Sequence, residues 1–87
     1  MTTVRIPSQL QSYTAGATCV EAVGGTIDQV MWDLDRSYPG IRFRVIDEQD
    51  RVRKHMRLFV GMEAATDIRA TLRDGDELLI FGALSGG

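Results

Sequence analysis

Apolar and polar residues alternate near both ends of the chain, and between them lies one stretch with helical spacing. Thr3-Val-Arg-Ile6 alternates with period two and reads as a strand that Pro7 terminates, since proline has no amide hydrogen for a sheet. Ser8 to Gly16 is polar, contains a glycine and reads as a turn. Thr18-Cys-Val-Glu-Ala22 alternates again. The two segments predict a hairpin with Val20 and Ala22 toward the core and Cys19 and Glu21 outward.

Val23-Gly-Gly-Thr26 lacks the spaced glycines and the lysine of a phosphate-cradling loop. Gly24 and Gly25 instead turn the chain, and Thr26 with Gln29 three residues on has the pattern of a capping box. Ile27, Val30, Met31, Leu34 and Tyr38 follow helical spacing and form one apolar stripe, which predicts a helix from Thr26 to Tyr38 that Pro39-Gly40 stops. Trp32 lies off the stripe and is expected to be part-exposed.

Beyond the helix the pattern predicts short strands. Ile41 to Ile46 leads into a turn at Asp47-Glu-Gln-Asp50, and Arg57-Leu-Phe-Val60 is a strand with Leu58 and Val60 inward and Phe59 outward. Met62 to Arg73 is a mixed connector in which Ile68 and Leu72 anchor the core. Asp74-Gly75 makes a tight turn into a last strand, Glu77 to Phe81, with Leu78 and Ile80 inward and Leu79 and Phe81 outward. Four or five strands with a single long helix predict an α+β domain, one mixed sheet packed on that helix. One helix covers one face only. Phe59, Leu79 and Phe81 are left for the other, exposed, and an apolar patch there marks a surface that docks a partner.

Composition narrows the function. At 87 residues the chain predicts one domain over residues 1–82, followed by a flexible C-terminal tail over 83–87. Arg51, Arg53, Lys54, His55 and Arg57 form a basic cluster, but it stands opposite an acidic loop in a chain of net charge −2, which argues for a solvated face and against nucleic acid. Cys19 is the single cysteine, so no internal disulfide is expected and a reducing cytoplasm is the natural compartment. The start of the chain lacks the pattern of a signal peptide, and no apolar run approaches the ~20 residues of a membrane span. His55 is the single histidine and has no second ligand at a useful spacing, so no metal site is expected. No GxSxG, HExxH or CxxC motif occurs, and no nucleophile can be matched to a base. An enzyme acting alone is not expected.

The tail, Ala83-Leu-Ser-Gly-Gly87, carries the chemistry that remains. A carboxylate is a poor electrophile until it becomes a mixed anhydride, and an activating enzyme must receive it through a narrow passage. Gly86 and Gly87 have no Cβ and can thread where other residues clash, with the small Ser85 before them. Five extended residues reach roughly 17 Å at ~3.3–3.6 Å each. That is enough to enter a partner's active site while the sheet docks outside.

Leu72-Arg-Asp-Gly-Asp-Glu-Leu-Leu-Ile-Phe-Gly-Ala-Leu-Ser-Gly-Gly87, with its Asp-Gly-Asp, apolar strand, small residues and final Gly-Gly, resembles the ThiS/MoaD family of ubiquitin-like sulfur carriers. The capped helix Thr26 to Tyr38 and the strand Leu58 to Gly61 fall where that family places them. The resemblance implies the β-grasp fold. It further implies that an ATP-dependent activating enzyme adenylates the carboxylate of Gly87, and that a desulfurase- or rhodanese-type donor converts it to a thiocarboxylate. The sulfur then passes to a downstream acceptor enzyme on the route to molybdopterin, thiamin thiazole or cysteine. The carrier itself binds no cofactor, ATP belonging to the partner, and Phe81 matches an outward aromatic used in docking. Two features depart from the pattern: Gly61-Met62-Glu63 stands where many members have Asn-Gly-Glu, and Cys19 is not a family feature. Two other readings share the tail: a ubiquitin-like modifier joined through Gly87 to lysines, and a small subunit of molybdopterin synthase whose tail enters a large subunit.

Overall fold

A computed structural model describes residues 1–82. Chain order gives β1 (Thr2–Arg5), a 3₁₀ turn (Ser8–Leu10), β2 (Cys19–Ala22), α1 (Ile27–Ser37), α2 (Ile41–Val45), β3 (Met56–Val60), β4 (Glu63–Ala65) and β5 (Glu77–Gly82). The strands form one sheet in the order β2-β1-β5-β3-β4. β1 and β5 pair in parallel at its centre, with Val4 opposite Leu78, and the other neighbours are antiparallel. This is the mixed sheet and single main helix of an α+β β-grasp fold.

The helix forms where the stripe predicts it. Thr26 is extended and its Oγ1 accepts from the Gln29 amide at 3.2 Å. The reciprocal bond falls one residue earlier than in a standard box, with Gln29 Oε1 accepting from the Gly25 amide at 2.7 Å. Ile27, Val30, Met31 and Leu34 are buried against Val4, Leu58, Leu78 and Ile80 of the sheet. Fully burying one such side chain contributes ~1.5–3 kcal/mol, so this two-layer contact is the main source of stability. Ile68 and Leu72 also join the core, as anticipated. Tyr38 caps the helix half-buried, and Trp32 lies off the stripe, 54% exposed.

Three segments differ from the sequence reading. Ser8 to Gly16 is more than a polar turn, for Leu10 enters the core and Thr14 is buried, its hydroxyl donating to the Ala17 carbonyl at 2.9 Å. Ile41–Val45 is a short helix rather than a strand. Ile41, Phe43 and Val45 fit period two, but Ile41 and Val45 also stand one helical turn apart, and five residues cannot separate the periods. Asp35 decides the matter, its Oδ1 accepting from the amides of Gly40 at 3.0 Å and Arg42 at 3.1 Å. Finally, the connector after Gly61 contains β4, which returns along β3 through Gly61-Met62 with Val60 opposite Glu63. Gly61 takes φ +60°, which suits a two-residue hairpin loop with glycine first.

Candidate docking face and tail root

The face of the sheet turned away from α1 carries the residues the alternation assigned to it. Register places Cys19, Arg5, Leu79, Phe59 and Ala64 in one row across all five strands. Phe81 stands one pleat further along, opposite Arg57. Its ring meets that of Phe59 edge-on, with centroids 5.5 Å apart and planes at 85°. Phe81 is 47% exposed, whereas Phe59 and Leu79 are half-buried rather than freely exposed. The reason is their own contact: opposed side chains in an antiparallel pair lie close enough to cover each other, and Phe81 covers Phe59 from the side.

Charges frame this apolar centre. Arg5 Nε bonds Glu77 Oε2 at 2.7 Å, and the hydrogen bond and charge of that carboxylate raise the guanidinium's pKa further above its ordinary value. Thr3 Oγ1 donates to Glu21 Oε2 at 2.8 Å. Cys19 is exposed at the start of edge strand β2, as its alternation requires.

β5 ends at Gly82, opposite Met56 on one flank, while on the other its carbonyl accepts from Gln9 Nε2 at 3.1 Å. The residues named for chemistry, Ser85, Gly86 and Gly87, lie outside the described residues.

The basic cluster is largely engaged with its own chain. Arg53 Nε donates to the Phe43 carbonyl at 2.6 Å, its guanidinium lying over the Phe43 ring at 4.4 Å. Arg57 Nη1 donates to the carbonyls of Lys54 and Met56, and Arg51 bonds Gln49. Among the described residues no three His, Cys, Asp or Glu side chains gather as a metal site would require, and no helix is long and apolar enough to cross a membrane.

Two constellations escaped the sequence reading. Arg42 is 7% exposed, pairs with Asp28 at 2.8 Å and Asp50 at 3.2 Å, and lies over the Trp32 ring at 4.1 Å. Nothing in an Ile-Arg-Phe-Arg run marks which arginine turns inward until the segment is known to be helical. The Gln9–Gly82 bond joins residues 73 apart, and no local pattern announces such a pair.

A β-grasp sheet with an apolar patch outside and a Gly-Gly segment beyond its central strand defines the class of ubiquitin-like carrier and modifier proteins. The comparisons narrow it. The "Sulfur carrier protein CysO" of Mycobacterium tuberculosis is 32% identical over 93 aligned positions, covering 98% of this chain and 97% of the relative. A chain in the crystal structure of the Amycolatopsis orientalis BexX/CysO complex superposes with TM-score 0.92 at 31% identity over the whole of both chains. M. tuberculosis CysO superposes at 0.90 with 29% identity, covering 97% of this chain and all of that one. SAMP1 from Haloferax volcanii gives 0.77 with 25% identity, covering 99% of this chain and 98% of that one. No protein-family model matches the chain. The chain belongs to the CysO family of sulfur carrier proteins, within the ThiS/MoaD-like ubiquitin-like group.

Proposed function

We propose that this sulfur carrier works through the carboxylate of Gly87. An oxygen of that carboxylate attacks the α-phosphorus of ATP on an activating enzyme and displaces pyrophosphate. Sulfide then attacks the acyl carbon and displaces AMP, leaving a thiocarboxylate for a downstream acceptor enzyme. A persulfide donor gives an acyl disulfide instead, from which a second thiol releases the thiocarboxylate as it forms a disulfide with the donor. The observation that carries this reading is the Ser85-Gly-Gly87 segment, placed beyond the central strand of a fold shared end to end with CysO. The chain supplies no reacting group but the carboxylate. ATP is the partner's substrate, and the carrier itself is a cosubstrate rather than a catalyst.

Docking falls to Phe81, Leu79 and Phe59. A CysO has been solved in complex with BexX, which supports a stable protein partner for a chain of this shape. Apolar side chains at the centre of a charged rim are the usual anchors of such a contact. A reducing cytoplasm suits both a thiocarboxylate and the exposed Cys19 thiol.

The likeness to SAMP1, a small archaeal modifier protein, supports a second reading in which the same activated Gly87 acylates lysines of other proteins. Carrier and modifier share the adenylation step and part afterwards. Incubation with the activating enzyme and ATP should release AMP in a sulfide-dependent manner, and deletion of Gly87 should stop it. Isopeptide-linked adducts without any thiocarboxylate would instead assign the chain to the modifiers.

A further inference from the structure

Gly82 has a strand on one flank and a side chain on the other, and its carbonyl is bonded from the second. On the β3 side it stands opposite Met56 at the end of the antiparallel ladder. Toward β1 the parallel ladder runs from Thr3 opposite Glu77 to Arg5 opposite Leu79, and the Thr3 amide donates to the Asp76 carbonyl. Alternation along β5 therefore turns the carbonyls of residues 76, 78, 80 and 82 toward β1. There the ladder fails for a covalent reason. The donor in phase with the Ile80 carbonyl is position 7, a proline, and β1 has already ended at Arg5, so the ladder stops short of Gly82, whose in-phase donor would be position 9.

Gln9 replaces the missing strand. The 3₁₀ turn that follows Pro7 is fixed by Leu10 in the core, which brings the side chain of Gln9 alongside β5. Its Nε2 donates to the Gly82 carbonyl at 3.1 Å. The fit leaves no room: a Cβ added at Gly82 meets Gln9 Nε2 and comes within 2.8 Å of its Cδ. Glycine at 82 thus lets the Gln9 amide sit where it bonds the carbonyl, and a side chain there would push that amide aside.

We propose that Gln9 is a positioning residue for the reaction at Gly87, a latch that fixes the root from which residues 83–87 depart. The inference rests on the carrier reading above. Fixing the Gly82 carbonyl sets the point and direction from which the chain continues toward Gly87 once the sheet face has docked, and so raises the effective concentration of the terminal carboxylate at the partner's ATP. The docking residues Phe59, Leu79 and Phe81 are not Gln9's partners. The latch therefore acts on the chemical step rather than on binding.

Steady-state kinetics of carrier-dependent AMP release, with the activating enzyme, ATP and sulfide, test this. Gln9→Ala and Gln9→Glu should each lower kcat about three- to tenfold, the worth of one hydrogen bond, with KM for the carrier unchanged. A merely structural role would shrink the competent fraction and raise the apparent KM while leaving kcat intact at saturation. Gly82→Ala, which pushes the amide aside, should reproduce the kcat loss in the native background and cost nothing further in Gln9→Ala. Gln9→Lys, which restores a donor, should recover part of the rate. Unchanged kcat in Gln9→Glu, or additive losses in the double variant, would overturn the latch while native turnover leaves the carrier reading standing. Absence of native turnover would overturn both.

Discussion

Gly24 shows how much a single hydrogen atom in place of a methyl can decide. A Cβ built there lies 2.7 Å from the Val30 amide nitrogen and 2.8 Å from Gln29 Cβ, so the residue is set by the close approach of α1 rather than by the turn alone. The obstructing atoms belong to the helix and cannot swing away. Gly24→Ala should therefore destabilise the fold by about 1–3 kcal/mol in urea denaturation, the usual range for overpacking. Gly25 meets only the end of the Gln29 side chain, at 3.3 Å, and its alanine variant serves as a mild control. Arg42 makes the opposite case. Its Nε is buried without a partner among the described residues, while Asp28 and Asp50 keep access to water and do not depend on it for solvation. Arg42→Met should leave stability within about 1 kcal/mol of native, because removing a desolvated cation offsets the lost pairs and the stack on Trp32. A loss several times larger would show that the buried arginine is a net stabiliser.

Among the elements, α1 and the central strands were legible because each repeats its period long enough to be unambiguous. Ile27, Val30, Met31 and Leu34 span two helical turns, and Leu78 and Ile80 with Leu79 between them fix the register of β5. α2 and β4 were not legible, since five and three residues carry too little pattern, and their states are decided by Asp35 and by Gly61 through contacts that spacing does not reveal. The outward face was legible in direction but not in degree of exposure, because Phe59 is covered by a neighbour on another strand. The turn after α2 offers a pH test. Asp47 Oδ1 accepts from the amides of Arg51 at 3.0 Å and Gln49 at 2.8 Å, and the Arg51 bond above all holds its carboxyl below the usual range. A carboxyl with a lowered folded pKa contributes stability that is complete above its unfolded pKa and is lost as pH falls through the folded one. The stability gap between the native chain and Asp47→Ala should therefore close on acidification below the ordinary aspartate range. A gap independent of pH would mean the charge at Asp47 plays no part in holding the turn.

At the scale of the whole molecule, the sheet separates two tasks. One face is committed to α1, and the other presents Phe81, Leu79 and Phe59 beside the strand end from which residues 83–87 continue. Phe81→Ala should raise the KM for activation about tenfold or more, as truncating an interface anchor does, and cost only about 1 kcal/mol of stability, since the half-exposed ring loses little beyond its edge-on contact with Phe59. In the proposed reaction the Gly87 carboxylate accepts the sulfur. Intact-protein mass spectrometry after incubation with the activating enzyme, ATP and sulfide tests it most directly. The expected result is a gain equal to the exchange of one oxygen for one sulfur, with fragmentation assigning it to Gly87, and no gain in a chain lacking Gly87. A gain that survives loss of Gly87, or that maps to Cys19 as a persulfide, would contradict it.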